Sequence, residues 1–290
     1  MKTGTATTTA RPAGLTIRGL VNRWLGLLRP MAYDMWRSRH LAREIFARDI
    51  AREYRQSLLG VLLAFLPALV IAAWATMIEH ARIITLPKDM ALPYAPFVLI
   101  SLMLWQTFVE SIQAPIMGLR AELGTIARSS VPSEAIILAK FGEILFGFGV
   151  KLILIAFAML WYQIPFTPWI LFAPVTLLLL VLFGMGIGLV LAPLNIFYRD
   201  VGAAITPVTT FWLFLTPVIV PVPREGWAAW IVRINPVTPL LSATRELLTT
   251  GAITMPIGLA IMVFVTMIVF VFGCVFFRST LPLLLDQANV

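Results

Sequence analysis

The chain has 290 residues, 60% of them hydrophobic and only 12% charged, with a formal net charge of +8. A soluble domain averages about 25% charged residues, so this composition excludes a soluble enzyme and leaves room for one membrane domain with short accessories. The positive charge does not point to nucleic acid: 11 of the 22 Lys and Arg fall within residues 1–57. Such a cluster just before the first long apolar run fits the positive-inside rule and contact with anionic lipid.

Residues 1–35 are rich in Thr and Arg and read as a flexible N-terminal extension. Their apolar patch, Leu20 to Leu28, is broken by Arg23 and is not followed by a cleavage site. It is therefore no signal peptide, and the first span is expected to stay in the mature protein. Residues 36–57 predict an amphipathic helix in the membrane interface. Leu41, Ile45, Phe46, Ile50 and Tyr54 form one apolar stripe, and Arg39, Arg43, Arg48, Arg52 and Arg55 fill the rest. A soluble packing helix is the alternative, but no soluble core is available to receive it.

About 20 apolar residues cross a hydrocarbon core of roughly 30 Å as a helix. Six runs reach that length, at roughly 58–78, 94–117, 136–162, 169–192, 205–222 and 256–277, which predicts an all-α membrane protein with a six-span domain over 58–278 and a short tail at 279–290. With the N-terminus inside, the inner side holds the basic tail with Arg120, Arg128, Arg199 and Arg278. The outer segments then hold only Arg82, Lys88, Arg224, Arg233 and Arg245. This bias predicts that both termini are cytoplasmic.

The fifth run carries Pro207, Pro217, Pro221 and Pro223. Proline removes a backbone donor and kinks a helix. A broken helix at membrane depth is tolerated only where protein or a water-filled cavity covers it. The segment after it, 223–255, is too apolar for a free loop and too charged to cross. Trp227, Trp230, Ile231 and Ile234 predict one short helix face, and Leu240, Leu241, Leu247 and Leu248 a second after Pro239. Two re-entrant or interfacial helices hinged near Asn235 and Pro236 are expected there.

The motifs for several chemistries are missing. None of Lys2, Lys88, Lys140 and Lys151 follows a glycine, so no GK[ST] phosphate loop exists. His40 and His80 fall on opposite sides of the membrane, which leaves no His/Cys metal set. Gly184 to Gly188, GMGIG, follows no strand and reads as a close helix-packing element. Cys274 is the single cysteine and reads as a small packing residue.

Each intramembrane charge costs about 2.5–3.5 kcal/mol at mid-bilayer and is therefore expected to be paired or functional. Glu110, Lys140 and Glu143 all lie near the inner edge, which predicts a cluster in which Glu110 pairs with Lys140 and locks the second span to the third. Lys151, eleven residues after Lys140, shares its face and points into the bundle or a hydrated cavity. There it would be placed to meet an anionic lipid phosphate.

Four stretches then resemble one family. They are RDIAREYRQSLLGVLLAFLPAL (Arg48 to Leu69), AELGTIARSSVPSEAIILAK (Ala121 to Lys140), LNIFYRDVGAAITPVTTFWLFLTPVIVPVP (Leu194 to Pro223) and NPVTPLLSATRELLTTG (Asn235 to Gly251). They resemble, in order, the permease subunits of polysaccharide ABC exporters, which carry O-antigen, teichoic acid or capsule chains. The first span departs from the usual family pattern in reading LAFLPAL, and the N-terminus is longer.

The resemblance implies a bacterial inner-membrane homodimer that works with two copies of a separate ATPase chain. That chain binds ATP and Mg, so no cofactor is expected here. It implies ATPase-coupling contacts at Arg48, Asp49, Arg52 and Arg55 on the interface helix, at Arg120, Glu122 and Arg128 in a short coupling helix, and at Arg199 and Asp200. It implies a path for a lipid-linked polysaccharide at the dimer axis, lined by the first and fifth spans. Trp74, Phe211, Trp212, Phe214 and Lys151 are the expected contacts, with Trp105 and Phe108 behind them. The outer helices, with Trp227, Trp230, Arg233 and Arg245, would gate the exit. The rival readings are a permease of the same architecture for a drug or small lipid, and a membrane transferase. The latter would need paired carboxylates, whereas Glu79, Asp89, Glu225 and Glu246 are scattered.

Overall fold

The computed structural model describes residues 33–55, 66, 69–77, 81, 92–128, 132–222 and 226–288. Helix follows helix: α1 (Arg39–Arg55), α2 (Tyr94–Arg128), α3 (Ser133–Trp161), a 3₁₀ turn (Pro168–Phe172) opening α4 (Ala173–Phe197), α5 (Asp200–Phe214), α6 (Trp227–Ile234), α7 (Val237–Thr249) and α8 (Pro256–Ala288). A further helical stretch covers 69–77.

Four stretches among the described residues are long and apolar enough to cross a membrane: Tyr94–Gly124, Glu134–Trp161, Pro168–Phe197 and Pro256–Leu284. The expected run at 58–78 lies mostly outside the described residues. The run at 205–222 is helical only to Phe214. At 1.5 Å per residue, α5 is about 22 Å long, short of a full crossing. It runs through Pro207 and gives way to turns before Pro217.

Two other boundaries differ from expectation. Among the described residues no separate coupling helix follows the second span; α2 continues unbroken to Arg128. The final helix likewise runs on to Ala288, so most of the expected tail is helical. Beyond its apolar part α2 continues through Arg120, Ala121, Glu122 and Leu123, all good helix formers, while the end of α8 is still leucine-rich and stays helical past Pro282.

α2 and α4 form the centre. The GMGIG motif explains how closely they meet. Residues four apart share a helix face, and a residue two away points elsewhere. A Cβ at Gly184 would lie 2.9 Å from the Phe108 carbonyl oxygen, and one at Gly188 would strike that of Ile112, both on α2. Gly186 instead faces α8, where a Cβ would lie 2.9 Å from the Phe270 backbone. Gly273 answers from α8, against the Gly186 carbonyl. Three neighbouring glycines thus seat two different helices.

The outward faces of α3 and α8 are apolar. Ile153, Phe157 and Leu160 on α3, and Ile257, Ile261, Phe264 and Ile268 on α8, are exposed. In a bilayer such faces need no protein partner.

Candidate functional site

Charge gathers at the end of the bundle that carries α1. Ala42 and Ile45 bury α1 against α3, and Phe46 meets Phe146 edge-on with ring centroids 6.1 Å apart. Gly142 makes room for Phe46, since a Cβ there would come within 3.2 Å of its ring. This packing brings five charges together. Lys140 Nζ donates to Asp49 Oδ2 at 2.9 Å and to Glu143 Oε1 at 2.8 Å. Arg48 pairs with Asp49 at 2.9 Å and bonds Glu122 at the far end of α2. One network therefore ties α1, α2 and α3.

The Glu122 bond, with Asp49 adding to it, holds the Arg48 guanidinium above its ordinary value against the downward pull of burial. Burial pushes the Asp49 carboxyl up, but the bond from Lys140 and the nearby Arg48 outweigh it and hold Asp49 below its usual value. A second tie closes this end: Arg278 of α8 meets Asp34 at 2.9 Å and Glu134 at 2.8 Å.

Lys151 lies about 16 Å along α3 from Lys140, half of a roughly 30 Å hydrocarbon core. It is buried, and its Nζ lies 2.5 Å from Glu110 Oε2 and 3.2 Å from Thr107 Oγ1, both on α2. Glu110 therefore pairs with Lys151 and not with Lys140, which Asp49 and Glu143 occupy. The Glu110 side chain remains 46% exposed.

At the opposite end Asn235 is the junction. Its Oδ1 accepts from Trp212 Nε1 at 3.0 Å and from the Val237 N–H at 3.1 Å. Its Nδ2 donates to the Leu215 carbonyl at 3.1 Å and to Thr216 Oγ1 at 2.8 Å. The broken end of α5 is thus fastened to the break between α6 and α7. Nearly all of α7 is buried. Arg245 donates to Ser101 Oγ at 2.8 Å and to the Pro217 carbonyl at 3.1 Å, with its guanidinium 4.1 Å over the Phe97 ring.

Several expected roles change with this geometry. Asp49 and Glu122 face inward and bind other side chains, while Arg52, Arg120, Arg199 and Asp200 are exposed. The side chains of Arg55 and Arg128 lie outside the described residues. Trp74, Phe211 and Phe214 are exposed. Trp212 instead packs on Trp105 and Phe108, with ring centroids 6.4 and 5.5 Å away, because its indole N–H must reach Asn235. Lys151 is committed to Glu110. Of the expected outer gate, Trp227, Trp230 and Arg233 are exposed and Arg245 is interior. Sequence reasoning missed Asp34, Thr107 and Glu134 as partners. Asn195, quoted only as part of a motif, accepts from the Gly202 N–H at 2.8 Å and shapes the turn from α4 to α5.

Long apolar helices, charge massed at one end and a few paired charges at depth define a helical membrane protein. Residues 40–249 match the family described as ABC-2 type transporter, and the chain belongs to that family as a membrane subunit. It is 24% identical over 220 residues, 74% of this chain and 82% of the other, to the O-antigen export system permease protein RfbA of Myxococcus xanthus. It is 25% identical over 211 residues, 71% of this chain and 79% of the other, to the protein of that name from Klebsiella pneumoniae.

Proposed function

We propose that the chain is the membrane subunit of an ATP-driven exporter that moves a lipid-linked polysaccharide across the bacterial inner membrane. The observation that carries this reading is similarity over more than two-thirds of the chain to permeases named for O-antigen export. On this reading the chain crosses six times, with 58–78 and the broken α5 as first and fifth spans. α6 and α7 then form a re-entrant pair, and the basic end is cytoplasmic by the positive-inside rule. Two copies pair, and two copies of a separate ATPase dock at the basic end.

Arg52, Arg120, Arg199 and Asp200 are the docking charges, because they stay exposed while their neighbours are engaged. The continuous α2 gives the docked ATPase a rigid anchor that runs from the basic end into a span. Phe211 and Phe214, with Trp74, offer aromatic faces on which sugar rings stack in many weak, sequence-tolerant contacts. Trp227 and Trp230 stand at the exit.

One observation favours a second reading, export of a small lipid or drug. A cavity of about 270 Å³ between α3, α4 and α7 is lined almost wholly by apolar side chains, among them Phe148, Leu152, Met159, Phe166 and Leu177.

The test is ATPase activity of the complex purified after coexpression with a candidate partner ATPase from the same organism. Stimulation by lipid-linked polysaccharide alone, lost in Trp74→Ala and Phe211→Ala, is expected. Stimulation only by drugs or free lipids would select the second reading, and a chain that copurifies with no ATPase would sink both.

A further inference from the structure

α2 inverts the usual rule for a membrane helix. It is the most deeply buried of the four apolar stretches, with 83% of its window inside the protein. The positions that stay partly open within its apolar part are Gln106, Val109, Glu110, Gln113, Ala114 and Met117, which recur at helical spacing. They form one stripe, and that stripe carries two amides and a carboxylate. The exposed stripes of α3 and α8 carry Ile, Leu and Phe instead.

The neighbours fix where the stripe looks. Thr107 and Glu110 turn toward Lys151 of α3. Trp105 and Phe108 turn toward Trp212 of α5. Phe108, Ser111 and Ile112 back onto Gly184 and Gly188 of α4. At 100° per residue, Gln106 and Gln113 fall on the remaining side, between α3 and α5 and opposite α4. From Gln106 to Gln113 the stripe runs about 10 Å through the middle of the bilayer.

A carboxylate and two amides facing lipid there would be costly, and such groups face the bundle interior or water. Lys151 neutralises Glu110 through one carboxylate oxygen, and a carboxylate has roughly four acceptor positions. Amides supply donors and acceptors together. That combination suits vicinal hydroxyl groups and does not suit an acyl chain.

We propose that Gln106, Glu110 and Gln113 form a hydrated polar track on α2 that hydrogen-bonds the hydroxyls of a passing glycan strand. α5, which meets α2 through Trp212 and exposes Phe211 and Phe214, borders the track on one side. The assignment rests on the polysaccharide reading above. It adds α2 to the lining of the path, and it gives Glu110–Lys151 the role of a neutral polar rail.

The buried native Cys274 makes the test direct, since one buried thiol adds little background. Gln106→Cys and Gln113→Cys are each made in the full chain, coexpressed with the ATPase, with Ile261→Cys and Phe264→Cys on the outward face of α8 as lipid-facing references. A charged methanethiosulfonate reagent is applied to membranes. Thiolate forms only where water reaches it, so track positions are expected to react roughly tenfold or more faster than the references. The assay is repeated in membranes from cells unable to attach the first sugar to its lipid carrier. Labelling is expected to be slower where the strand is made than where it is not.

Labelling no faster than at Ile261 and Phe264 would mean that another helix covers the stripe, and would overturn the proposal. Fast labelling indifferent to the strand would overturn its occupant. Loss of the polysaccharide reading itself would be seen separately, as normal surface polysaccharide in cells lacking this chain.

Discussion

The same pairing of lysine with carboxylate occurs twice on α3, in two different settings. At Lys140 the ammonium meets Asp49 and Glu143 beside the charged end of the bundle, with Arg48 and Glu122 adjoining. At Lys151 it meets one carboxylate and one hydroxyl, with apolar helices around them. Where water is near, a charge that loses its partner finds another. At Lys151, which helices close in, only the open side of Glu110 offers water, so the second pair holds its lysine more strictly although it contains fewer contacts.

The comparison breaks most sharply at Lys151. Replacing it with Met strands Glu110 and is expected to cost about 2.5–3.5 kcal/mol, seen as a fall in folded, monodisperse protein and in thermal stability. The double variant Lys151→Met with Glu110→Gln is expected to recover most of that loss, because removing both members of a buried pair is close to neutral. A double variant as poor as the single one would refute the pairing.

Lys140→Ala is expected to do less harm, because Asp49 keeps Arg48 as a partner. Its mark should be on coupling, with the ATPase less responsive to substrate. Exchanging the charges in Asp49→Lys with Lys140→Asp should restore that response in part. Raising salt to about 1 M shortens the screening length to roughly 3 Å. It should mimic Lys140→Ala in the purified complex and leave Lys151→Met unchanged.

The smallest effect is that of pH on Asp49. A carboxyl held below its ordinary value adds stability that is present above the unfolded value, about 3.9. That stability is lost as pH falls through the lower folded value. Cross-linking between Phe46→Cys and Phe146→Cys should therefore show no pH dependence from Asp49 above about pH 5, where its contribution is fully present. An acid loss absent in Asp49→Asn should appear only below about pH 4.

Much of this arrangement was legible in the sequence. Residue spacing sufficed for the glycine motif, the broken fifth run and the split at Asn235 and Pro236, because each depends on local backbone chemistry. The partner of Glu110 was not legible. Lys140 and Lys151 share a face, so spacing places both toward α2, but which of them meets Glu110 depends on how far α2 and α3 slide past one another. That offset is set by packing along the whole interface, including Gly118 against Lys140. Arg245 was misplaced for a related reason. The Thr, Ser, Arg and Glu of its segment look like surface, yet Thr238, Ser242, Thr244 and Thr249 are all buried. The groups that take up the Arg245 guanidinium, Ser101 Oγ and the Pro217 carbonyl, lie 144 and 28 residues away in sequence. The interface helix was readable as amphipathic, but its apolar stripe alone did not distinguish lipid from α3 as its cover.

The glycines of α4 carry a mechanical consequence. With Gly184 and Gly188 against α2, and Gly186 against Gly273 of α8, these three helices meet backbone to backbone. Long side chains can repack as helices slide; bare backbones in contact cannot give without separating. The trio therefore behaves as a stator, and the strokes of any working cycle fall to what hinges on it: α1 with α3 at one end, and α5 with its Asn235 clasp at the other.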